Sequence, residues 1–372
     1  MKAKDLAKKL GVSPATISLV LNNKPGISDS LRKSLLEKIQ ELGHGEMLSD
    51  ACREGAAPGD KPAEKAESGG CACKVIAYII SHEFFGDRND PYNFFSGVLE
   101  GVEAEAWEND CCLVMVHTNR LKNTSLAEQL RRTGDVMGAI VHPCQLTKKM
   151  EREVKAAGVP CVFIDAGGFL DGASYWEPSS VCISNRQGMY NVVRYLKEKG
   201  HTQIGFAYSG WPGEVRDDRR RWYRWALEEF GLEDRPEFYF CAKPEEDLFE
   251  YQRLAKLLGE APRLPTALVC ENDRQAWRAI KALELIGKKV PEDISVTGFD
   301  DQPMCTMIEP HITTVHNSPQ LMGRQCVQMI KNLRRLKELG EEEPWLRFEL
   351  PARLVERGSV RDLTGAGQKR LE

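Results

Sequence analysis

Asp165, Asn272 and Asp300 each stand at the carboxyl end of a short apolar run, and Arg219 follows another, Ile204–Tyr208. Open α/β sheets hold ligands just outside the carboxyl ends of their strands. Carboxylates and a guanidinium gathered there suit a polyol, because each can hold two oxygens at once. Tyr175, Trp176 and Trp211 fall in loops after strands and are placed to stack on a sugar ring. The competing reading is structural, with Asp300 or Asp273 capping a helix.

The motifs that would make such groups catalytic are absent: there is no G-x-S-x-G elbow, P-loop, H-E-x-x-H or G-x-G-x-x-G after a strand. The seven histidines (His44, His82, His117, His142, His201, His311 and His316) are scattered without metal-ligand spacing. Of the 12 cysteines, the Cys71/Cys73 and Cys111/Cys112 pairs lack the doubled C-x2-C of a zinc site. In a long chain whose N-terminus lacks the apolar core of a signal peptide, they read as free thiols, several of them in apolar runs (Cys112, Cys161, Cys270). The expectation is a cytoplasmic protein that is not an enzyme and has no metal and no cofactor.

The elements that must position these residues begin at Lys74. Strand candidates are Val75–Ile80, Cys112–His117, Met137–His142, Cys161–Asp165, Val181–Ser184, Ile204–Tyr208, Phe238–Cys241, Ala267–Cys270 and Ser295–Phe299. Helix candidates lie between them near 93–109, 123–132, 147–157, 187–199, 217–230, 248–259 and 274–286. Continuous apolar strands alternating with amphipathic helices imply parallel sheet covered on both faces. So many strands and helices exceed one such sheet, so two lobes are expected. The longest apolar runs, Val75–Ile80 and Cys111–Val116, are far short of the roughly 20 residues a membrane-spanning helix needs.

The first 44 residues differ in charge and pattern. They hold eight lysines and arginines against four acids, while the whole chain carries −4. A basic head on an acidic body suits a polyanion. Leu6, Ala7 and Leu10 share one helical face, ended by Gly11. Ser13 then supplies an N-cap oxygen and Pro14 a preset first turn, starting a second helix that runs to about Asn22. Ser28 caps a third helix bearing Leu31, Leu35, Ile39 and Leu42. Two helices joined by a tight turn, with a third in support, make a helix-turn-helix.

The stretch KDLAKKLGVSPATISLVLNNKPGISDSLRKSLLEKIQELGH closely resembles the DNA-binding head of the lactose-repressor (LacI/GalR) family of bacterial transcription regulators. In the body, His201-Thr-Gln-Ile-Gly-Phe, Pro265–Asp273, Pro291–Asp301, Thr313-Thr-Val315 and Leu350–Ser359 are similar to the family's segments. The resemblance implies a small all-α helix-turn-helix head joined to an α/β two-lobe periplasmic-binding-protein-like domain with parallel sheets. The chain would cross between the lobes three times, bind a small molecule in the cleft and form a homodimer. It also implies that the second helix lies in the major groove of a double-stranded DNA operator, started by the Ser13 cap. Thr16, Ser18 and Asn22 would hold phosphates, and Pro14, Ala15 and Leu19 would face the bases. Arg219, Asn272 and Asp300 would grip ligand hydroxyls beside Asp165, and Phe94 and Phe95 would place rings over the ligand. Phe95 as a core residue at helical spacing is the structural alternative.

The domains expected are a head over 1–44, a flexible linker over 45–73 and a two-lobe domain over 74–360. Lobe 1 takes about 74–182 plus 316–340, lobe 2 about 183–315 plus 341–360, and 361–372 form a disordered tail. Two departures from the family pattern stand out. Leu19 replaces an arginine that can bond guanine O6 and N7 together, so that contact is expected to be lost, whether Leu19 faces the groove or turns into the core. The acidic linker lacks the family's Tyr-x-Pro-Asn and hinge helix, so no ordinary minor-groove hinge is expected, though a short helix over 46–54 is compatible with it. The second lobe also opens with Ser184-Asn185 instead of Asp-Asn. The reading is a repressor with no membrane contact, whose DNA affinity is set by a small molecule, a sugar or related metabolite. The alternative is a cytoplasmic regulator without a small-molecule effector, controlled by a protein partner.

Overall fold

The structure is a computed structural model that describes residues 3–21, 27–42, 74–80, 94–117, 125–141, 148–166, 178–209, 214–242, 250–341 and 344–365. The chain divides into two compact units between Ala72 and Cys73. The expected linker, with its possible helix over 46–54, lies outside the described residues, as do Asn22, Tyr175, Trp176 and Trp211.

In the first unit, helices α1 (Ala3–Leu10), α2 (Pro14–Leu21) and α3 (Asp29–Glu41) surround one small core. Gly11 takes a φ of +67°, the left-handed conformation that lets the chain leave α1 and turn at once into α2. Ser13 Oγ then accepts the Thr16 amide at 3.0 Å, satisfying one of the free N–H groups that open α2. Leu6, Ala7, Ile17, Val20, Leu21, Leu35 and Ile39 are buried together, each helix contributing one face. A fully buried Leu or Ile contributes about 1.5–3 kcal/mol, so a head this small depends on nearly every one of them.

The second unit contains two parallel sheets. The first has the order β11–β5–β4–β3–β1–β2. Its strands are β1 (Lys74–Ile80), β2 (Cys111–His117), β3 (Val136–Val141), β4 (Cys161–Ile164), β5 (Ser180–Ile183) and β11 (Arg347–Leu350). Alternation along β1 explains its two covers. Ile76, Tyr78 and Ile80 pack with α4 (Phe94–Glu108) and α11 (Pro319–Glu338). Ala77 and Ile79 face the opposite side, packing with α5 (Leu126–Thr133) and α6 (Lys148–Ala157).

The second sheet runs β7–β6–β8–β9. It comprises β6 (Ile204–Tyr208), β7 (Tyr239–Cys241), β8 (Ala267–Cys270) and β9 (Ser295–Thr297). Ile204 and Phe206 turn toward the side of α7 (Asn185–Glu198) and α8 (Glu214–Glu229). Ala207, Leu268 and Cys270 turn toward α9 (Glu250–Glu260) and α10 (Asp273–Leu285). Single bridges from Thr297 to Thr313 and from Asp300 to His316 attach β10 (Thr314–His316), which pairs antiparallel with β12 (Arg353–Val355). The chain passes between the sheets three times: after β5, after β10 and after β11.

Three assignments change. Residues 341–350, expected in the second lobe, contribute β11 to the first sheet, parallel to β5. Only Leu350 of that strand is buried, so its sequence carries little apolar signal. Residues 361–365 are not a disordered tail: Arg361 N donates to Ser295 Oγ at 2.9 Å and Leu363 N to the Lys199 carbonyl at 2.8 Å. The remainder of that tail lies outside the described residues. Finally, α11, 20 residues long, has no counterpart among the helix candidates. It meets α4 at backbone distance, because a Cβ on Gly101 would lie 1.9 Å from the Gln320 carbonyl oxygen and one on Gly323 2.0 Å from that of Val98.

Candidate functional site

Arg219 is the centre of the body's polar network. It lies in the second turn of α8, and only 5 % of its surface is exposed. Its Nε donates to Asn185 Oδ1 at 3.1 Å, Nη1 to the Glu271 carbonyl at 2.6 Å and Nη2 to Asp300 Oδ1 at 2.8 Å. The guanidinium carbon stands 3.8 Å from the centroid of the Phe299 ring, a cation–π contact in a desolvated setting. Each partner follows the carboxyl end of a strand: Asn185 after β5, Glu271 after β8 and Asp300 after β9.

The network extends outward on both sides. Asn185 Nδ2 donates to Asp218 Oδ2 at 3.0 Å, so the asparagine that follows Ser184 links α8 to the start of α7. The Ser209 amide donates to Glu271 Oε1 at 3.0 Å. Asn317 Nδ2 donates to Asp300 Oδ1 at 3.1 Å, sharing that oxygen with Arg219. Asp165 lies just beyond β4 and accepts the Ile183 amide at 3.2 Å. Burial pushes its carboxyl up to about 6, while the Arg219 charge and the Ile183 hydrogen bond pull the other way.

Backbone conformation marks the same places. Asp165, Asp300 and Asp301 have φ of 48°, 108° and 52°, left-handed values that cost a non-glycine residue energy. Asp tolerates such turns better than bulky residues because its short carboxylate bonds locally. Asp301 is held by Arg357 Nη2 at 2.6 Å, and by His316 Nδ1 at 2.8 Å.

The structure therefore brings Asp165, Arg219 and Asp300 together. Asn272 is the N-cap of α10, its Oδ1 accepting the Gln275 amide at 2.8 Å. Phe94 and Phe95 open α4 as an edge-on pair 5.3 Å apart, half-buried against the large core. Asp273 is a structural carboxyl, fully buried, which accepts the Gln302 amide at 2.8 Å and the Thr314 hydroxyl. Its burial raises its carboxyl to about 7. Sequence reasoning passed over Asn185 as a participant, and also Ser209, Glu271 and Asn317. Each directly follows a strand or Ser184, and that position was the available signal.

In the head, Ser13 Oγ lies 2.8 Å from Thr16 Oγ1, so the cap and the expected phosphate contact are neighbours. Ser18 is exposed. Leu19 is half-buried and stands outside the head core. Its carbonyl accepts Arg32 Nη1 at 3.2 Å, which ties the end of α2 to α3. Pro14 and Ala15 lie in the first turn of α2.

Among the described residues, no three His, Cys, Asp or Glu side chains are grouped to hold a metal, and no helix is long and apolar enough to cross a membrane. Comparison with known proteins agrees with both units. Residues 193–360 match the periplasmic binding protein-like domain, and residues 2–44 match the bacterial regulatory proteins of the lacI family. The HTH-type transcriptional repressor PurR of Aliivibrio salmonicida (strain LFI1238) is 26 % identical over 371 residues, covering 97 % of this chain and 99 % of the relative. The transcriptional regulator CelR in complex with cellobiose superposes with a TM-score of 0.63 at 23 % identity, over 96 % of this chain and 99 % of the other. The lac repressor dimer bound to operator and the anti-inducer ONPF superposes with a TM-score of 0.63 at 18 % identity, over 97 % and 99 %. Those two likenesses carry the fold, and the family models carry the rest: the chain joins a head of the bacterial regulatory proteins' lacI family to a periplasmic binding protein-like domain.

Proposed function

We propose that this chain is a transcriptional repressor that binds a double-stranded DNA operator as a homodimer and responds to a small molecule, most simply a sugar, held between its two lobes. The observation that carries the effector half is the convergence of Asn185, Glu271 and Asp300 on one buried guanidinium, at the strand ends where ligands of such sheets sit. Asp165, Arg219 and Asp300 hold the ligand's hydroxyls, Asn272 frames the same rim, and Phe94 and Phe95 supply apolar cover. Ser13, Pro14, Ala15, Thr16, Ser18, Leu19 and Asn22 meet the operator. A single short recognition helix makes few contacts, and two-fold symmetry doubles them. The relatives support this reading by their names, which include a repressor, a cellobiose complex and an operator-bound dimer. Work on DNA places the protein in the cytoplasm.

The test has two parts. Selection from random DNA, followed by titration at rising salt, should yield a near-palindromic site whose affinity falls steeply with salt. A thermal-shift screen against sugars and nucleosides should find one compound that raises the melting temperature and changes operator affinity, since a ligand at 100 times its Kd adds about 2.7 kcal/mol. A monomer in sedimentation with salt-insensitive DNA binding would overturn the first half.

One observation favours a second reading, a regulator controlled by a protein partner without a small-molecule effector. Arg219 already has protein acceptors on Nε, Nη1 and Nη2. On that reading the cluster is a structural tie, and no compound in the screen changes operator affinity.

A further inference from the structure

The outer face of α7 and α8 carries a row of cations laid on aromatic rings. The guanidinium carbon of Arg186 stands 4.6 Å from the centroid of the Trp225 ring and 5.5 Å from that of Trp222. Arg221 stands 5.0 Å from Trp222, so two guanidinium groups share that indole. One turn further along α7, Tyr190 packs on Trp225 with ring centroids 5.9 Å apart. Arg194 lies 5.9 Å from the Tyr190 ring in turn. The three rings are half-buried and the three arginines exposed. Positions 186, 190 and 194 recur at the helical repeat, so they form one stripe.

The charges of this stripe are not spent inside the protein. Arg186 has neither a hydrogen bond nor an ion pair among the described residues, and its contacts are the two indoles. Stacking occupies the flat face of a guanidinium and leaves the N–H groups at its rim free in the plane. Arg194 meets Glu198 only at 3.7 Å, with both side chains at least half exposed. A helix dipole disfavours a cation in the first turn, and α7 has no acid there to offset Arg186. Arg186 is therefore not placed to stabilise its own helix. Among the described side chains, the exposed acids of the two helices (Glu198, Glu228 and Glu229) gather at the carboxyl ends, away from it.

Nucleic acids use interleaved cations and rings by stacking bases on the ring faces. Here the arginines already lie over those rings, and what remains open is the guanidinium rim. A carboxylate matches that rim with two oxygens. Arg186 and Arg194 are eight residues apart, about 12 Å along the helix, which a lone anion cannot span. About four residues of extended chain do, at roughly 3.3 Å each. We infer that the α7–α8 face docks an acidic segment of a partner protein, with its carboxylates on Arg186 and Arg194 and its aliphatic stems against Trp222 and Trp225. The inference does not use the cleft, so it holds under either reading above. It also reaches the polar network. Arg221 is bonded to Asp218, which accepts Asn185 Nδ2 at 3.0 Å, and Asn185 Oδ1 accepts Arg219 Nε at 3.1 Å. An acid that draws Arg221 away from Asp218 disturbs Arg219 through those two bonds.

The test is isothermal titration of the full chain with acetylated octaglutamate at low and high salt. Oligothymidylate and inorganic phosphate serve as the other probes. The variants are Arg186→Gln combined with Arg194→Gln, and Arg186→Lys alone. A head variant, Lys33→Gln with Lys38→Gln, controls for peptide bound by the basic head, where both lysines are exposed. Octaglutamate should bind wild type and the head variant alike, and more weakly as salt rises. It should lose about 10-fold in the α7 double variant, the sum of two exposed charge contacts. Arg186→Lys keeps the charge and the stack but not the planar fork, so it should weaken binding at an unchanged melting temperature. It decides the matter if the double variant is destabilised. Absence of binding to wild type overturns the inference. Equal affinity in wild type and both α7 variants also overturns it, as does a loss confined to the head variant. Oligothymidylate binding more tightly than the peptide, and lost in the α7 double variant, replaces the acidic partner with nucleic acid. Phosphate binding as tightly as octaglutamate replaces it with a site for a lone anion.

Discussion

Arg219 and Asp300 form an ion pair with side chains only 7 % and 12 % exposed, Nη2 to Oδ1 at 2.8 Å. The pair joins a helix to the turn that leaves the second sheet. Burying two charges is costly, and removing one partner leaves the other uncompensated.

Arg219→Ala should therefore cost about 3–5 kcal/mol of stability, beyond any effect on ligand. Urea unfolding checks this directly. Arg219→Met combined with Asp300→Leu should cost less than the sum of the two single changes, because no charge is then left alone. A loss under 1 kcal/mol for Arg219→Ala would show that the pair is not desolvated.

Asp165 predicts a pH dependence. Its carboxyl is raised to about 6 by burial, against roughly 3.9 in the unfolded chain. Below pH 4 both states hold the proton. Between 4 and 6 the folded state keeps a proton the unfolded state has lost, so this group's contribution falls as pH rises, by about 3 kcal/mol, and is flat above 6. Asp165→Asn should remove that slope and leave the part from Asp273, which extends to about pH 7. Urea midpoints of both proteins at pH 4, 5, 6 and 7 isolate the difference. Parallel curves would contradict the assignment.

The contact of α4 with α11 permits no side chain at Gly101. Gly101→Ala would set a methyl against the Gln320 backbone and force the helices apart, costing at least about 1–3 kcal/mol. A drop in the urea midpoint should appear for this variant and be absent for Glu103→Ala, a control on the exposed face of α4.

Leu19 concerns the operator. With its side chain outside the head core, Leu19→Arg should create a guanine preference at one symmetric position, worth about 1–3 kcal/mol per half-site. Selection from random DNA with both proteins reads this out. An identical preferred sequence would place the side chain away from the groove.

The head and both sheets were legible because their signals are local. Gly11, Ser13 and Pro14 punctuate the head, and strands such as Ile76–Ile80 are buried on both faces and so read as unbroken apolar runs. Asp165, Arg219 and Asp300 were legible as a set because ligand-holding groups fall at strand ends. What escaped has weak local signals. In α11 the apolar face is interrupted by Gly323 and by polar residues such as Arg324 and Gln328, both bonded to Glu105 of α4. β11 buries one residue of four. Asn317 and Glu271 gain their meaning only from partners far along the chain, and no spacing rule reaches that distance.

The placement of β11 and α11 also sets an order of events during synthesis. The first lobe's sheet starts with residue 74, but its cover α11 and its edge strand β11 emerge only with residues 319–350. At about 5–20 residues per second, the roughly 170 residues between β5 and the end of β11 leave the ribosome some 10–30 s later. Throughout that interval the apolar face around Val98, Gly101 and Val102 has no lid from its own chain. The nascent protein must be shielded in the meantime, so its yield in a cell should depend on holding chaperones far more than its final stability would suggest.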